Sequence, residues 1–283
     1  MSEGRPLLVV GSGWLGRAIA AALPTATHVA QRQFDPGIVP VGAGIVVASG
    51  WSSLPAEGAD DRVRSELDDV ERLLDVARRR GARAVVVGSS DVCGLAEVID
   101  GRTPVDPITA YGELKVRREQ LVVDAAASGV DAVSVRLAPT HGPGKAQTAR
   151  MLSLARRRLV PLPHGGRHSV GFVALADAVG ALCSLLTAES EPVVAVGGGR
   201  TILRELLAAL ARSSGVGPPR CVTVPLPDRL SRSLARSRVA QLAWIGRFSL
   251  HRVVEMDAPI TPMSTTEAAR YLVGADGVTP TSS

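Results

Sequence analysis

Aromatic residues, cysteines and long apolar runs are all scarce in this sequence of 283 residues. Aromatic side chains make up 3% of the chain and hydrophobic residues 46%, so we expect a core built from Val, Leu and Ala. No run of about 18 apolar residues occurs, which argues against a helix that crosses a membrane. The first six residues also lack the basic and apolar segments of a signal peptide, and we therefore expect a cytoplasmic protein with no membrane partner.

The three cysteines, Cys93, Cys183 and Cys221, are far apart in the sequence and odd in number. Such a set does not build a disulfide framework, and its spacing matches no metal site. We expect reduced thiols, which agrees with a cytoplasmic location, and we expect no bound metal.

The net charge of +5 is spread unevenly along the chain. Residues 1–140 hold 15 basic and 18 acidic side chains, whereas residues 141–283 hold 17 basic and 9 acidic ones. The excess of positive charge in the second part favours an anionic small-molecule substrate, although an arginine-rich solvated surface explains it equally well. Nucleic acid is not an expected partner, because few aromatic side chains are available to stack on bases.

Lysine and tyrosine are rarer still, with two of each in the whole chain. Tyr111 and Lys115 are four residues apart, which places them on one face of a helix. An ammonium beside a phenol lowers the pKa of the phenol, as proton exchange with an alcohol or ketone requires. Ser89 ends an apolar, strand-like run and can hold the substrate oxygen in line with that phenol. We therefore predict Ser89, Tyr111 and Lys115 as the catalytic residues, against the alternative of an ordinary helix with a half-buried tyrosine.

A glycine-rich segment follows the first predicted strand, Pro6–Val10, and precedes a helical pattern from Arg17 to Leu23. The segment reads Gly11-Ser12-Gly13-Trp14-Leu15-Gly16. In this setting the first glycine allows a tight turn, the second lets the backbone approach a pyrophosphate, and the third lets the helix pack on the strand. The free N–H groups at the start of the helix then face the phosphates. The segment predicts a site for a nicotinamide dinucleotide.

The end of the second predicted strand, His28–Ala30, bears on the choice between the two nicotinamide cofactors. An acidic residue there would bind the ribose 2′-hydroxyl, but the chain has Gln31-Arg32-Gln33. Arg32, together with Arg17 beside the third glycine, suits a 2′-phosphate. We predict that NADP(H) is preferred over NAD(H), with an Arg32 that merely faces solvent as the alternative.

Strand and helix patterns alternate over the first 140 residues, which predicts an α/β fold with a Rossmann-like, doubly wound parallel sheet. Ligands of such sheets bind beyond the carboxyl ends of the strands. Besides the glycine segment and the Tyr111–Lys115 pair, we therefore predict these cofactor-binding residues: Arg32, Ala48, Ser49, Gly50 and Thr140.

The pattern changes after residue 144. We predict a dinucleotide-binding core over residues 1–144, to which residues 170–200 contribute, and a smaller C-terminal substrate-binding lobe from residues 145–169 and 201–283. Within that lobe we expect a basic helix over Met151–Leu159, a loop over Pro161–His168, and irregular structure from residue 220 onward with a helix near Thr265–Leu272.

These motifs together resemble the NAD(P)-dependent epimerase/dehydratase family, the extended branch of the short-chain dehydrogenases/reductases. The resemblance covers most of the chain and rests on the order of six segments: Gly11–Gly16, Gly88–Gly94, Tyr111–Lys115, Arg136–Gly144, Phe172–Val179 and Met263–Leu272.

The resemblance implies hydride transfer between the nicotinamide and a substrate carbon that carries an alcohol or ketone. Tyr111 would exchange the hydroxyl proton, Lys115 would lower the pKa of the phenol and hold the nicotinamide ribose, and Ser89 would orient the carbonyl. The resemblance also implies a homodimer formed through helices 61–80 and 108–127.

The sequence departs from the family pattern at several positions that matter for substrate. Glu66 stands at the place of a frequent Asn, and Pro139 at the place of an Asn in nucleotide-sugar enzymes. Val170 and Ala174 replace an Arg and a His, of which the Arg commonly meets substrate phosphate. We therefore name four substrate-binding candidates: Ser90, Asp91, Arg150 and Arg167. Arg167, Arg150 or the Arg156–Arg158 cluster would substitute for the missing arginine.

Three functions remain open at this point. The first is a ketoreductase or epimerase/dehydratase that acts on a nucleotide-sugar-like or other anionic small molecule. The second is a reductase of an uncharged secondary-metabolite carbonyl. The third is a catalytically silent NADP-sensing regulator, against which the presence of the Tyr111–Lys115 pair argues.

Overall fold

Fourteen strands form the sheets in the described part of the computed structural model, which covers residues 5–49, 59–96, 98–167, 169–198, 200–225, 227–235, 255–256 and 264–276. The strands are β1 (Leu7–Val10), β2 (Thr27–Val29), β3 (Gly44–Val47), β4 (Arg83–Val87), β5 (Val98–Ile99), β6 (Ala132–Leu137), β7 (Thr140–His141), β8 (Leu159–Pro163), β9 (Ser169–Gly171), β10 (Val173–Ala174), β11 (Val193–Val196), β12 (Arg200–Ile202), β13 (Arg220–Val224) and β14 (Glu255–Met256).

Eight α-helices accompany these strands in the same described ranges. They are α1 (Trp14–Ala22), α2 (Ala59–Arg80), α3 (Ala110–Ala127), α4 (Ala146–Ala155), α5 (Leu175–Ser184), α6 (Leu203–Ser213), α7 (Asp228–Ala235) and α8 (Thr265–Asp276). No helix among the residues described is long and apolar enough to cross a membrane.

The central sheet has six parallel strands in the order β11-β6-β4-β3-β1-β2. The chain moves outward from β1 to β2 and then returns to the other side of β1 for β3, so the direction of winding reverses between β1 and β3. Such a switch point is where ligands bind in open α/β sheets. The prediction of a Rossmann-like, doubly wound parallel sheet is confirmed.

The connection from β2 to β3 contains two short 3₁₀ turns where strict alternation would place a helix. Pro36, Gly37 and Pro40 fall within these 14 residues, and both residue types oppose a helix. β2 is the edge strand of the sheet.

Alternate residues of the central strands feed two separate cores, because successive side chains of a strand point to opposite faces. Val9, Val46 and Val85 pack with α1 and α5 on one face. Leu8, Ile45 and Val86 pack with α2 and α3 on the other. The sheet is thus covered on both faces, which is why its strands are continuous apolar runs.

A third apolar cluster lies in the C-terminal half and joins α4, α6 and α8 with β8 and β10. Leu152, Leu206 and Leu272 are among its fully buried members. The cluster coincides with much of the predicted lobe, whose role in substrate binding stays a prediction.

The structure differs from the sequence expectations in that lobe. The predicted helix Met151–Leu159 is wrong in its bounds, since α4 ends at Ala155. The predicted loop Pro161–His168 begins with the last three residues of β8. This strand pairs in parallel with β13, in the region expected to be irregular. Two prolines in β8 suggested a loop, but a two-stranded sheet leaves each strand a free edge that tolerates proline.

We predict opposite effects of alanine at two helical glycines. A Cβ at Gly16 in α1 would lie 1.9 Å from the carbonyl oxygen of Gly11, whereas a Cβ at Gly180 in α5 meets nothing within 4 Å. Gly16→Ala should lower the free energy of unfolding by about 2 kcal/mol or more through overpacking. Gly180→Ala should raise it by about 0.5–1 kcal/mol through helix propensity.

Urea unfolding of the two variants beside the wild type measures both effects. A Gly16→Ala protein as stable as Gly180→Ala would contradict the close contact between α1 and the glycine turn.

Candidate active site

The glycine segment forms a tight turn between β1 and α1 at the switch point of the sheet. Gly11 has a φ of +132°, and a Cβ there would lie 2.5 Å from the carbonyl oxygen of Ala48, directly after β3. Gly13 precedes α1 with open space around it and gives the helix no side-chain cap. The turn therefore offers bare backbone and the N–H groups of the first turn of α1, a donor set that fits the pyrophosphate of a dinucleotide.

Trp14 lies between the glycine turn and the segment after β7. Its indole Nε1 donates a hydrogen bond of 2.6 Å to the Pro143 carbonyl oxygen. The Lys145 ammonium lies 4.8 Å from the centroid of the Trp14 ring and donates to the carbonyl oxygen of Thr140. Burial lowers the pKa of Lys145 to about 8. Lys145 was not among the residues predicted for the site, because the contact joins positions 131 residues apart.

Arg32 lies exposed in the 3₁₀ turn after β2. Its neighbour Gln31 donates 2.6 Å to a carboxylate oxygen of Asp69 on α2. Asp69 also pairs with Arg72 at 3.0 Å. A small cleft beside these residues is lined by Val10, Gln31, Phe34, Val47, Ser49, Asp69, Val70 and Leu73. A carboxylate thus lies beside the first residue after the Ala30 that follows β2, but it comes from α2, 38 residues further along the chain, and no local motif reveals it.

A buried turn follows β4 and carries Ser89, Ser90 and Asp91. The Ser89 hydroxyl accepts a hydrogen bond of 3.2 Å from the backbone N–H of Asp91, and Ser90 and Asp91 are both buried. The start of α3 packs directly on this turn, since a Cβ at Gly112 would lie 2.8 Å from the Asp91 carbonyl oxygen. The helix that carries Tyr111 is therefore packed against the turn that carries Ser89.

Tyr111 and Lys115 lie in the first two turns of α3, which begins after Thr109. The Thr109 hydroxyl caps the helix by accepting 2.9 Å from the Gly112 N–H. The Lys115 ammonium lies 5.3 Å from the centroid of the Tyr111 ring. Lys115 is 3% exposed, whereas Tyr111 is half-buried. The structure thus brings the two predicted residues together, and Lys115 is the more deeply buried of the two.

Glu66 on α2 binds the buried ammonium of Lys115. Its Oε1 accepts 2.8 Å from Lys115 Nζ and 2.6 Å from Arg118 Nη1. Arg118 Nη1 also donates 3.0 Å to the carbonyl oxygen of Ser49, at the end of β3. Desolvation by burial, with a smaller contribution from Arg118, lowers the pKa of Lys115 to about 7.

Arg118 was missed in the sequence, although its spacing gave a signal. It lies one turn after Lys115 on the same face of α3, and a second buried cation there requires an acidic partner. Glu66 was noted only as a departure from the family pattern.

Thr140 and His141 form β7, which is buried beside β10. The Thr140 hydroxyl donates 3.1 Å to the Ala138 carbonyl. The His141 ring stacks on Phe172 at 5.1 Å between centroids, and its Nδ1 has no hydrogen-bond partner among the described residues. Burial, with a smaller contribution from Lys145, lowers the pKa of His141 to about 3.

Of the remaining predicted residues, the two arginines lie at the surface of the protein. Arg150 on α4 and Arg167 after β8 are exposed, and neither forms an ion pair within the described part of the chain. Ala48 and Ser49 follow β3 beside the glycine turn. Gly50 lies outside the described residues.

Residues 38–197 match the family model described as the NAD dependent epimerase/dehydratase family, which is more than half of the chain. The chain belongs to this family. A curated relative, the 3-diazoavenalumate denitrifying reductase of a Streptomyces species, is 29% identical over 193 residues. That match covers 62% of this chain and spans 61% of the length of the reductase.

Solved structures with the same fold share little sequence with this epimerase/dehydratase family member. MoeE5 in complex with UDP-glucuronic acid and NAD is 17% identical, with a TM-score of 0.72 over 95% of this chain and 98% of the other. The dTDP-glucose 4,6-dehydratase of Bacillus anthracis, in complex with NAD, is 14% identical, with a TM-score of 0.71 over 96% of each chain. RMD from Pseudomonas aeruginosa, complexed with NADPH, is 17% identical, with a TM-score of 0.70 over 96% of this chain and 97% of the other.

We predict that His141 makes this family member sensitive to acid. Above pH 6.5 the ring is neutral in both the folded and the unfolded chain and contributes nothing to pH dependence. As the pH falls from 6.5 toward 3, the unfolded chain binds a proton that the folded protein does not, and stability is lost. The loss should reach about 3 kcal/mol by pH 4.

Urea unfolding of wild type and His141→Gln between pH 8 and pH 4 measures this loss, which the variant should largely lack. His164→Asn is the matched control, because His164 is exposed and asparagine tolerates its φ of +49°. An acid sensitivity that persists in His141→Gln would contradict the prediction.

Proposed function

We propose that the protein is an NAD(P)(H)-dependent oxidoreductase that transfers a hydride at a secondary alcohol or ketone of an anionic small molecule. The observation that carries the proposal is the buried Lys115 ammonium, 5.3 Å from the Tyr111 ring, beside the Ser89 turn. Family membership and the bare glycine turn support it. Ketone reduction, epimerisation and dehydration all begin from this arrangement.

In the proposed mechanism, the Tyr111 phenol exchanges a proton with the substrate oxygen. The Ser89 hydroxyl donates a hydrogen bond to the same oxygen and holds it in line with the phenol. The Lys115 ammonium favours the phenolate that Tyr111 becomes when it gives up its proton. A bound nicotinamide supplies or accepts the hydride.

Residues around the switch point would hold the dinucleotide. The turn from Gly11 to Gly16 would bind the pyrophosphate. Ala48 and Ser49 would contact the dinucleotide after β3, and Thr140 would contact it after β6. We also propose that NADP(H) is preferred, because Arg32 and Arg17 are both exposed near the end of β2 and the glycine turn. The Asp69 carboxylate beside Gln31 is the charge that opposes a 2′-phosphate there.

An anionic substrate is supported by the basic second part of the chain and by the two exposed arginines, Arg150 and Arg167. Of the solved structures with this fold, MoeE5 is in complex with UDP-glucuronic acid, and another protein is a dTDP-glucose 4,6-dehydratase. We propose that Ser90 and Asp91 face the reacting part of the substrate, and that residues 145–169 and 201–283 form the substrate-binding lobe. A homodimer through α2 and α3 and a cytoplasmic location complete the proposal.

A second candidate is a reductase of an uncharged secondary-metabolite carbonyl. Val170 and Ala174 occupy positions where the family pattern has Arg and His, and both pack into the third apolar cluster. The chain therefore lacks a cation and an imidazole at these points. The curated relative from Streptomyces is itself described as a reductase.

We predict that Tyr111→Phe lowers turnover by about 10²–10⁴-fold, because the variant has no group that exchanges the substrate proton. Tyr271→Phe is the matched control: its hydroxyl accepts 3.2 Å from the Leu175 N–H and has no part in the proposed chemistry. NADPH oxidation at 340 nm is measured with ketones supplied in pairs, one member with a phosphate or carboxylate and one without.

Turnover that survives in Tyr111→Phe would remove the phenol from the mechanism. Preference for the uncharged members of the pairs would favour the second candidate. Tight NADPH binding without turnover of any ketone or sugar nucleotide would favour the silent regulator.

We predict that Arg32→Ala weakens NADPH binding by about tenfold and leaves NADH binding unchanged, because only NADPH carries the 2′-phosphate that the guanidinium would bind. Fluorescence titration of both cofactors measures the two dissociation constants. Arg79→Ala on the exposed face of α2 is the control for loss of a surface charge. Equal weakening of both cofactors, or tighter binding of NADH by the wild type, would refute the NADP(H) preference.

A further inference from the structure

Three charged side chains meet inside the protein behind Tyr111. Glu66 comes from α2, and Lys115 and Arg118 come from successive turns of α3. Their side chains are 2%, 4% and 1% exposed. We refer to these three residues as the buried triad. Since an unpaired charge is expensive to bury, each member depends on the others.

One carboxylate oxygen accepts hydrogen bonds from both cations of the buried triad. Glu66 Oε1 accepts from Lys115 Nζ at 2.8 Å and from Arg118 Nη1 at 2.6 Å. Nε and Nη2 of Arg118 have no hydrogen-bond partner among the residues that the structure describes. Two positive charges therefore share one negative charge, and the member that can lose its proton most readily is Lys115, because a guanidinium stays charged in proteins.

The charges around Lys115 act in opposite directions on its pKa. Burial and Arg118 lower it, whereas Glu66 raises it through charge and through the hydrogen bond. Asp91, in the turn after β4, raises it as well, and Tyr111 is the remaining titratable group beside the ammonium. The result is a pKa of about 7, close to neutral pH.

We propose that Glu66 and Arg118 are positioning residues that set, as opposing charges, the pH range in which Lys115 is protonated. Neither residue needs to touch substrate. Because the charge on Lys115 favours the Tyr111 phenolate, the same pair sets the upper pH limit of proton exchange at Tyr111. This last step rests on the function proposed above, whereas the effect on Lys115 does not.

The proposal predicts shifts of opposite sign for two substitutions. Glu66→Gln removes the negative charge but keeps the size of the side chain, so the pKa of Lys115 should fall by about one pH unit or more. Arg118→Met removes the competing cation but keeps much of the apolar stem, so the pKa of Lys115 should rise by a similar amount. The double variant should lie between the two single variants.

The pKa can be read directly, because the chain has only two lysines, Lys115 and Lys145. Protein labelled with ¹³C at the lysine Cε gives two NMR signals, and Lys145→Arg assigns them. The Lys115 signal is followed from pH 5 to pH 10 in the full-length protein without added cofactor. Arg117→Met is the matched control, because Arg117 precedes Arg118 on α3 and is exposed.

A second readout is the pH profile of kcat/KM with a ketone substrate. Its upper limb should move to lower pH in Glu66→Gln and to higher pH in Arg118→Met, by the same amounts as the Lys115 signal. A merely structural role would lower activity at every pH without moving the limb. If Glu66→Gln does not fold, Arg118→Met and the double variant still test the direction in which the pKa of Lys115 shifts.

The proposal fails if the Lys115 titration is unchanged in Arg118→Met, or if both single variants shift it in the same direction. If the Lys115 titration shifts as predicted while the kcat/KM profile stays in place, the charge balance holds and its link to catalysis fails. Tyr111→Phe with normal turnover would separately defeat the proposed function.

Discussion

The ion pair between Glu66 and Lys115 joins α2 to α3 across 2.8 Å in the interior of the protein. Lys115 has to be buried to lie behind the Tyr111 ring, and a buried ammonium keeps its proton only where a carboxylate compensates the lost hydration. Glu66 provides that carboxylate from the helix that packs on the same face of the sheet. Breaking a buried pair of this kind typically costs about 3–5 kcal/mol, because the remaining charge is left without a partner. Packing of α2 on α3 and the chemistry proposed for Tyr111 therefore depend on the same contact.

The same group of charges reaches the turn where the dinucleotide is proposed to bind. Arg118 donates to the Ser49 carbonyl, two residues after β3, and a Cβ at Gly11 would collide with the Ala48 carbonyl one residue earlier. The end of β3 is thus fixed from both sides, by α3 and by the glycine turn. This arrangement follows from the topology, since β3 lies next to β1 at the switch point and β4, with its Ser89 turn, lies next to β3. The turn proposed for the cofactor and the helix that carries Tyr111 therefore both contact the end of β3.

Sequence patterns predicted the parts of this arrangement that depend on local order. Continuous apolar runs marked the strands because both faces of the sheet are covered, and the glycine spacing marked the turn because α1 packs on it with no room for a Cβ at Gly16. Contacts between distant positions left no such pattern. The Gln31–Asp69 hydrogen bond and the Arg118–Glu66 ion pair each join an element to α2 across 38 or more residues. The pairing of β8 with β13 left no local pattern either. The prolines of β8 argue locally for a loop, and nothing near them in the sequence indicates the distant partner strand.

Buried apolar side chains and exposed arginines occupy different parts of the C-terminal half, and this distribution bears on the proposed substrate. Val170 on β9, Ala174 on β10 and Phe172 between them pack in the third apolar cluster. The positions where the family pattern has an Arg and a His therefore carry apolar side chains here. Positive charge lies instead on Arg150 and Arg167, which are exposed and have no acidic partner in the described part of the chain. Exposed cations raise the local concentration of anions more than they fix one in place. For the substrate proposed above, an anionic group that stays toward solvent agrees with this distribution better than phosphates that must be buried.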